Sequence, residues 1–187
     1  MRLWYSSLSV TSKSDPPGWS ELSPADLDGV AGRGGSGAAA LAWVDLVLDG
    51  RIAEAWPSTG FGFRLHLTRH WAWNHRFGLH GAGYDPLEVA TALADNADGP
   101  AHRLWSAFAR SQRPPDAVAA PTAGWVVAAP PEPVGPDHEV VRLAPAECTG
   151  TGRAFPPLTL VLRLGRSGWR VEGHGCTPAQ PRWPPGR

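Results

Sequence analysis

Residues 158–174 read LTLVLRLGRSGWRVEGH, and the period of two in this stretch decides the fold. Alternation puts Leu158, Leu160, Leu162 and Leu164 on one face and Thr159, Val161 and Arg163 on the other. After a tight turn at Arg166, Ser167 and Gly168, the next strand sets Trp169, Val171 and Gly173 opposite Arg170, Glu172 and His174. Working upstream, EVVRLA (139–144) and GWVVAA (124–129) read as two further strands. The resulting sheet has one greasy face and one that carries Arg142, Arg163, Arg170 and Glu172. Such an arginine row suits a solvated face, a dimer seam with cross-strand ion pairs, or the docking side of an accessory subunit.

Ahead of this meander the period changes to 3.6. AAALAWVDLVLDG places Ala39, Trp43, Leu46, Val47 and Gly50 on one helical face, with Asp45 and Asp49 on another. RIAEAWP continues as a short helix that stops before Pro57. A helix is predicted over Phe63–Phe77, where Phe63, His66, Leu67, His70, Trp71, Trp73, Asn74 and Phe77 share an arc of about 160°. Arg64, Thr68, Arg69, Ala72, His75 and Arg76 form the opposite, solvent arc. Asp85 caps a helix with Pro86 at its first position and Glu88 at its third. GPAHRLWSAFARSQRPP reads as one more, stacking Ala101, Leu104, Trp105, Phe108 and Ala109 before the double proline. Helices followed by an antiparallel meander with one apolar face make an α+β layout in which the helices cover the sheet.

The 187 residues suit one domain with tails. Seventeen basic residues balance seventeen acidic ones, so no electrostatic surplus pulls the chain toward nucleic acid or an anionic membrane. No apolar run approaches the ~20 residues that cross a bilayer, and the start MRLWYSSLSV lacks the features of a secretory signal. The expected address is the cytoplasm. There the two cysteines, Cys148 and Cys176, are expected as free thiols rather than a disulfide. Residues 1–35 read as an N-terminal segment with a short helix after Ser23 and a glycine-rich linker, GRGGSG. Residues 177–187, TPAQPRWPPGR, carry four prolines in eleven residues and are expected as an irregular or extended, disordered tail. Ten tryptophans are many for this length. Seven fall in predicted elements, whereas Trp4, Trp19 and Trp183 fall in the terminal segments and need somewhere to dock.

The first helix running into LVLDGRIAEAWPS, the helical insertion before the sheet, and the closing hairpin LTLVLRLGRSGWRVEGHG together resemble the SnoaL-like, or nuclear-transport-factor-2-like, superfamily and its uncharacterised bacterial branch. The resemblance spans residues 36–176 and implies a cystatin-like cone, helices on a curved and mostly antiparallel sheet. It also implies a pocket between the two layers and frequent homodimers through the outer sheet face. The superfamily joins steroid isomerases, cyclases, dehydratases and epoxide hydrolases to non-catalytic binding and assembly modules.

His66 and His70, in HLTRH, stand four apart on one helix and in principle share a metal. The zincin motif requires a glutamate where Leu67 stands, and a third ligand would have to come from His75, His80 or Asp85. No metal or cofactor is therefore expected. In a cone the same helix would help wall the cavity, with His66, His70 and Asn74 as polar groups and Trp71, Trp73 and Phe77 as apolar walls. Tyr84 is a further hydrogen-bonding candidate. A neutral His66 or His70 could serve as general base on an apolar substrate, in an isomerase, cyclase or dehydratase. Against chemistry stands the carboxylate count. Glu172 falls on the polar face, Glu132 and Glu147 fall at segment ends, Glu139 faces inward only at a strand end, and Asp45 and Asp49 lie on the less apolar side of their helix. No nucleotide-binding glycine motif or nucleophile elbow is present. The leading expectation is a non-catalytic module that binds an apolar small molecule or another protein, with the acid/base enzyme as its rival.

Overall fold

A computed structural model describes residues 35–112, 124–146 and 158–185. Six helices precede the sheet: α1 (Ser36–Leu48), α2 (Ile52–Ala55), α3 (Phe61–Asn74), α4 (Arg76–Gly81), α5 (Pro86–Ala94) and α6 (Trp105–Ser111). Short 3-10 turns lie at Trp56–Ser58 and Gly99–Ala101. The strands are β1 (Trp125–Val127), β2 (Glu132–Pro133), β3 (His138–Pro145), β4 (Leu158–Gly165) and β5 (Gly168–His174). Every strand pairing is antiparallel and the sheet is open, in the order β1-β3-β4-β5 with β2 beside β1 on the same edge of β3. The architecture is α+β, helices against a mostly antiparallel sheet. Among the described residues no helix is long and apolar enough to cross a membrane.

The α5 start follows the sequence reading: Asp85 accepts from the backbone N–H groups of Leu87 and Glu88 at 2.8 and 2.9 Å, with Pro86 in the first turn. Two other helices depart from it. The stretch expected as one helix over Phe63–Phe77 breaks at His75, whose φ of −104° leaves the helical region, and its ring folds back to the Trp71 carbonyl at 2.8 Å. The stretch expected from Pro100 to Gln112 splits into the 3-10 turn and α6, because His102 turns extended at ψ 135°.

The inner sheet face carries Val127, Val141, Leu143, Leu160, Leu162 and Val171, all buried, with α1 laid across them. The core above is aromatic. Trp56 meets Trp105 at 5.1 Å and Phe108 at 5.4 Å between ring centroids, and Trp71 meets Phe108 at 6.0 Å. The Trp56 indole N–H lies 3.2 Å from the Leu93 carbonyl and 3.1 Å from that of Asp95, so its polar atom is satisfied by the end of α5. Trp43 donates to the Thr59 hydroxyl at 2.9 Å, and that hydroxyl donates to the Ala55 carbonyl at 2.8 Å. The α1 indole is thereby tied to the α2–α3 corner.

One strand differs from its expected alternation. Leu162 pairs with Val171 and Val161 with Gly173, which leaves Glu172 as an extra residue opposite no partner. Past this bulge the faces exchange. His174, expected beside Arg170 and Glu172 on the polar face, pairs with inward-facing Leu160 and turns into the core, and Gly173 turns outward. Leu164, expected on the apolar face, has that parity but lies at the hairpin end beyond the helices and is 49% exposed.

Replacing Trp56 by Ala should cost about 3–5 kcal/mol, because a large cavity forms and two carbonyls lose a donor. Phe77, exposed at the surface, should tolerate Ala within about 0.5 kcal/mol. Equilibrium denaturation of the two variants checks both.

Candidate functional site

The predicted buried arc of α3 is displaced by roughly a quarter turn. Phe63, Arg64, Thr68, Trp71 and Ala72 are the buried residues, so Arg64, Thr68 and Ala72, expected to meet solvent, are instead buried, and α3 packs on α5. Small Thr68 and Ala72 let the helices approach. Arg64 is accommodated because its guanidinium reaches the Trp56 carbonyl at 3.2 Å and Asn96 at 2.8 Å.

The opposite side of α3 is covered by the C-terminal tail. Expected to be disordered, residues 177–185 are irregular in backbone but follow a defined path along the helix. The Ala179 N–H donates to the Glu172 carbonyl at 2.8 Å, Arg69 donates to the Pro181 carbonyl at 2.7 Å, and the Gln180 backbone lies near enough to His66 to pull its basicity upward. Trp183 stands edge-on to Trp73 at 5.5 Å. Of the terminal tryptophans, Trp183 therefore has its dock; Trp4 and Trp19 lie outside the described residues, as do the short helix after Ser23 and the GRGGSG linker.

Beneath the tail the structure brings together three imidazoles. His66 and His70 lie 4.8 Å apart between ring centroids, and His174, delivered by the β5 bulge, packs on Phe63 at 4.9 Å and Trp43 at 6.0 Å. Burial depresses the basicity of all three. Desolvation lowers His66, outweighing its bond to Gln180, and lowers His70 with some help from His66. His174 falls from the ordinary 6.5 to about 4, chiefly through desolvation and secondarily through His66. The imidazoles are therefore neutral near pH 7. Sequence reasoning placed His66 and His70 correctly as neighbours and missed His174, since a one-residue bulge leaves no mark in a period-two pattern.

The other candidates scatter. Trp71 belongs to the core with Phe108. Asn74 and Phe77 are exposed where α3 gives way to α4, so neither walls a cavity. Trp73 is half-buried, with the Arg76 guanidinium 4.3 Å from its ring and 4.4 Å from that of Phe77. Tyr84 lines a separate shallow groove of about 280 Å³ with Gly83, Asp85, Glu88, Val89, Ala92 and His102, its ring under Arg103.

The carboxylates are likewise rearranged. Glu139 faces inward and accepts a hydrogen bond from Ser36 at the head of α1. The Glu172 carboxylate lies against Gly60 at the head of α3, where any Cβ would come within 2.2 Å of it. Desolvation raises its pKa against the pull of Arg163, His138, Arg170 and Arg64. On the outer sheet face Arg142 pairs with Glu132 at 2.7 Å and Arg163 with Asp137 at 2.8 Å, so these arginines are already neutralised within the chain. Arg170 reaches Ser167 at 2.7 Å. Cys176 is an exposed thiol; Cys148 and Glu147 lie outside the described residues. Among the described residues no group of three or more histidine, cysteine, aspartate or glutamate side chains is placed to hold a metal.

No family model, curated protein or solved structure matches the chain. The functional reading therefore rests on its own geometry.

His174 gives that geometry a pH signature. The unfolded chain takes up its proton near pH 6.5, whereas the folded chain does so only near 4, so stability falls as pH drops through that window, by roughly 3 kcal/mol from this residue. Chemical denaturation between pH 7 and 4 should show the loss, and His174→Gln should flatten it. An equally steep profile in the variant would remove His174 as the cause.

Proposed function

We propose that residues 36–176 form a SnoaL-like, cone-type domain serving as a non-catalytic interaction module, and that its working surface is the tail-covered side of α3. The element order, helices first and an antiparallel meander last, supports the family reading. The observation that carries the functional reading is the filling of the space between the layers. Where a cone would hold a ligand, Trp43, Trp56, Phe63 and Phe108 pack against one another and against the sheet, each 4% exposed or less. A site so occupied leaves recognition to the surface. The conspicuous surface is the one that already holds a peptide segment, along His66, Arg69 and Trp73.

One observation favours the second reading, an acid/base enzyme for an apolar substrate. His66 and His70 are neutral and adjacent, the state a general base requires. Their access is through the tail, and the carboxylates that would assist are engaged elsewhere: Glu139 accepts from Ser36, and Glu172 is packed at the α3 head.

A titration with an apolar probe, 8-anilinonaphthalene-1-sulfonate, separates the readings. The module should show no saturable, stoichiometric binding and no rise in melting temperature. A one-to-one complex lost in the His66→Ala/His70→Ala variant would overturn it in favour of the enzyme.

A further inference from the structure

An extended proline-rich segment presents a distinctive face to a partner. Proline has no N–H, so its backbone carbonyls go unanswered within the segment and wait for external donors, and the chain arrives already stiff. Recognition of such segments accordingly combines donors spaced for successive carbonyls with an aromatic surface for the rings. The tail-covered side of α3 has both. Arg69 donates to the Pro181 carbonyl at 2.7 Å, the Gln180 backbone beside it acts on the basicity of His66, and one turn further on Trp73 takes Trp183 edge-on. Arg76 lies over the rings of both Trp73 and Phe77. Because Phe77 is 77% exposed, the aromatic platform continues as free surface.

The path into this groove is kept open by a missing side chain. A Cβ on Gly173 would lie 2.8 Å from the Ala179 nitrogen and 3.1 Å from the Thr177 carbonyl oxygen, so only glycine lets the segment turn off the sheet and onto α3. The hold on the tail is nonetheless light. Cys176, Thr177, Pro178, Gln180, Arg182 and Pro184 are all exposed, and the tail is held by Ala179 against the core, Arg69 on the Pro181 carbonyl and Trp73 against Trp183. A few contacts of this kind are sustained by tethering, which keeps the local concentration of the tail near the millimolar range.

We infer that this side of α3 is a recognition groove for an extended, proline-rich peptide segment of a partner protein with an aromatic anchor, and that the chain's own residues 177–185 occupy it as an intramolecular competitor. This rests on the interaction-module reading and names its partner chemistry. The tail, containing PRWPP, is the template: a carbonyl for Arg69, then a tryptophan followed by prolines for Trp73.

The test uses the full-length chain and a fluorescein-labelled peptide of the sequence TPAQPRWPPGR, followed by fluorescence anisotropy. Trp183→Ala removes the tail's anchor, and this variant should bind the peptide at least tenfold more tightly than the parent. Trp183→Phe, which restores a ring, should bring affinity back toward the parent value. Adding Arg69→Ala to Trp183→Ala should abolish the gain. Circular dichroism and thermal melting establish that each variant is folded, and hydrogen exchange of residues 177–185 reports tail release independently. Equal affinity of parent and Trp183→Ala, or a released tail without peptide binding, overturns the inference. Failure of the module reading is separately visible: a stoichiometric apolar complex in the interior would remove that reading and leave the peptide result standing.

Discussion

The single unpaired residue of β5, Glu172, governs the arrangement of everything on its edge. Because it bulges, Val171 and His174 both face inward, three positions apart instead of two or four. The backbone on either side of it is then put to use. The Val171 carbonyl receives the Gly60 N–H at 2.8 Å, fixing the head of α3, and the Glu172 carbonyl receives the Ala179 N–H at 2.8 Å, fixing the start of the tail. Thr59 bridges to Val171 in parallel along the same edge. A sheet edge that would otherwise offer free donors and acceptors is thus closed by the chain's own segments. The carboxylate of Glu172 sits at the α3 head, where the amino-terminal helix dipole favours negative charge even as burial disfavours it.

The helical layer depends on a different constraint, the need of buried indoles for polar partners. Trp56 solves it by placing its N–H between the Leu93 and Asp95 carbonyls at the end of α5 while its own carbonyl receives Arg64. That arrangement explains a buried arginine, which otherwise carries a heavy desolvation cost. It also explains why α5 and α3 pack as they do: Asn96, just past α5, gives the Arg64 guanidinium a second acceptor beside the Trp56 carbonyl, while Nε stays buried without a partner. The same aromatic mass that stabilises the layer packs the space above the sheet among the described residues.

Much of the fold was legible in the residues because local rules and tertiary packing agreed there. The period-two run of Leu158–Leu164, the turn at Arg166–Ser167, and the Asp85–Pro86 cap all settle on the expected structure. The face of α3 was not legible. Its apolar residues point one way by count, but the helix is enclosed on two sides, by α5 and by the tail, and a helix covered on both sides has no single stripe to read. Arg64 and Thr68 look like solvent residues until Trp56 and Asn96 are in view. His174 was misplaced for a sharper reason: one inserted residue inverts the parity of all that follows. The tail was misjudged by composition. Proline content excludes a helix or an inner strand correctly, yet it does not exclude docking in an extended form, which asks of the chain only carbonyls and a ring.

The β5 bulge and the docked tail meet at one place, and together they account for the state of the histidines. His174 is desolvated by the bulge that turns it inward, whereas His66 and His70 are desolvated on the side where the tail passes. Neutrality and tail docking therefore support each other. His66 stands among imidazoles, with His70 on its own helix and His174 from β5, while the Glu172 carboxylate packs at the Gly60 head of α3. Displacing the tail returns water to His66 and His70, which raises their basicity toward the ordinary value. For His66 the two effects run in opposite directions, burial lowering its basicity and the Gln180 backbone of the tail raising it, and burial is the larger.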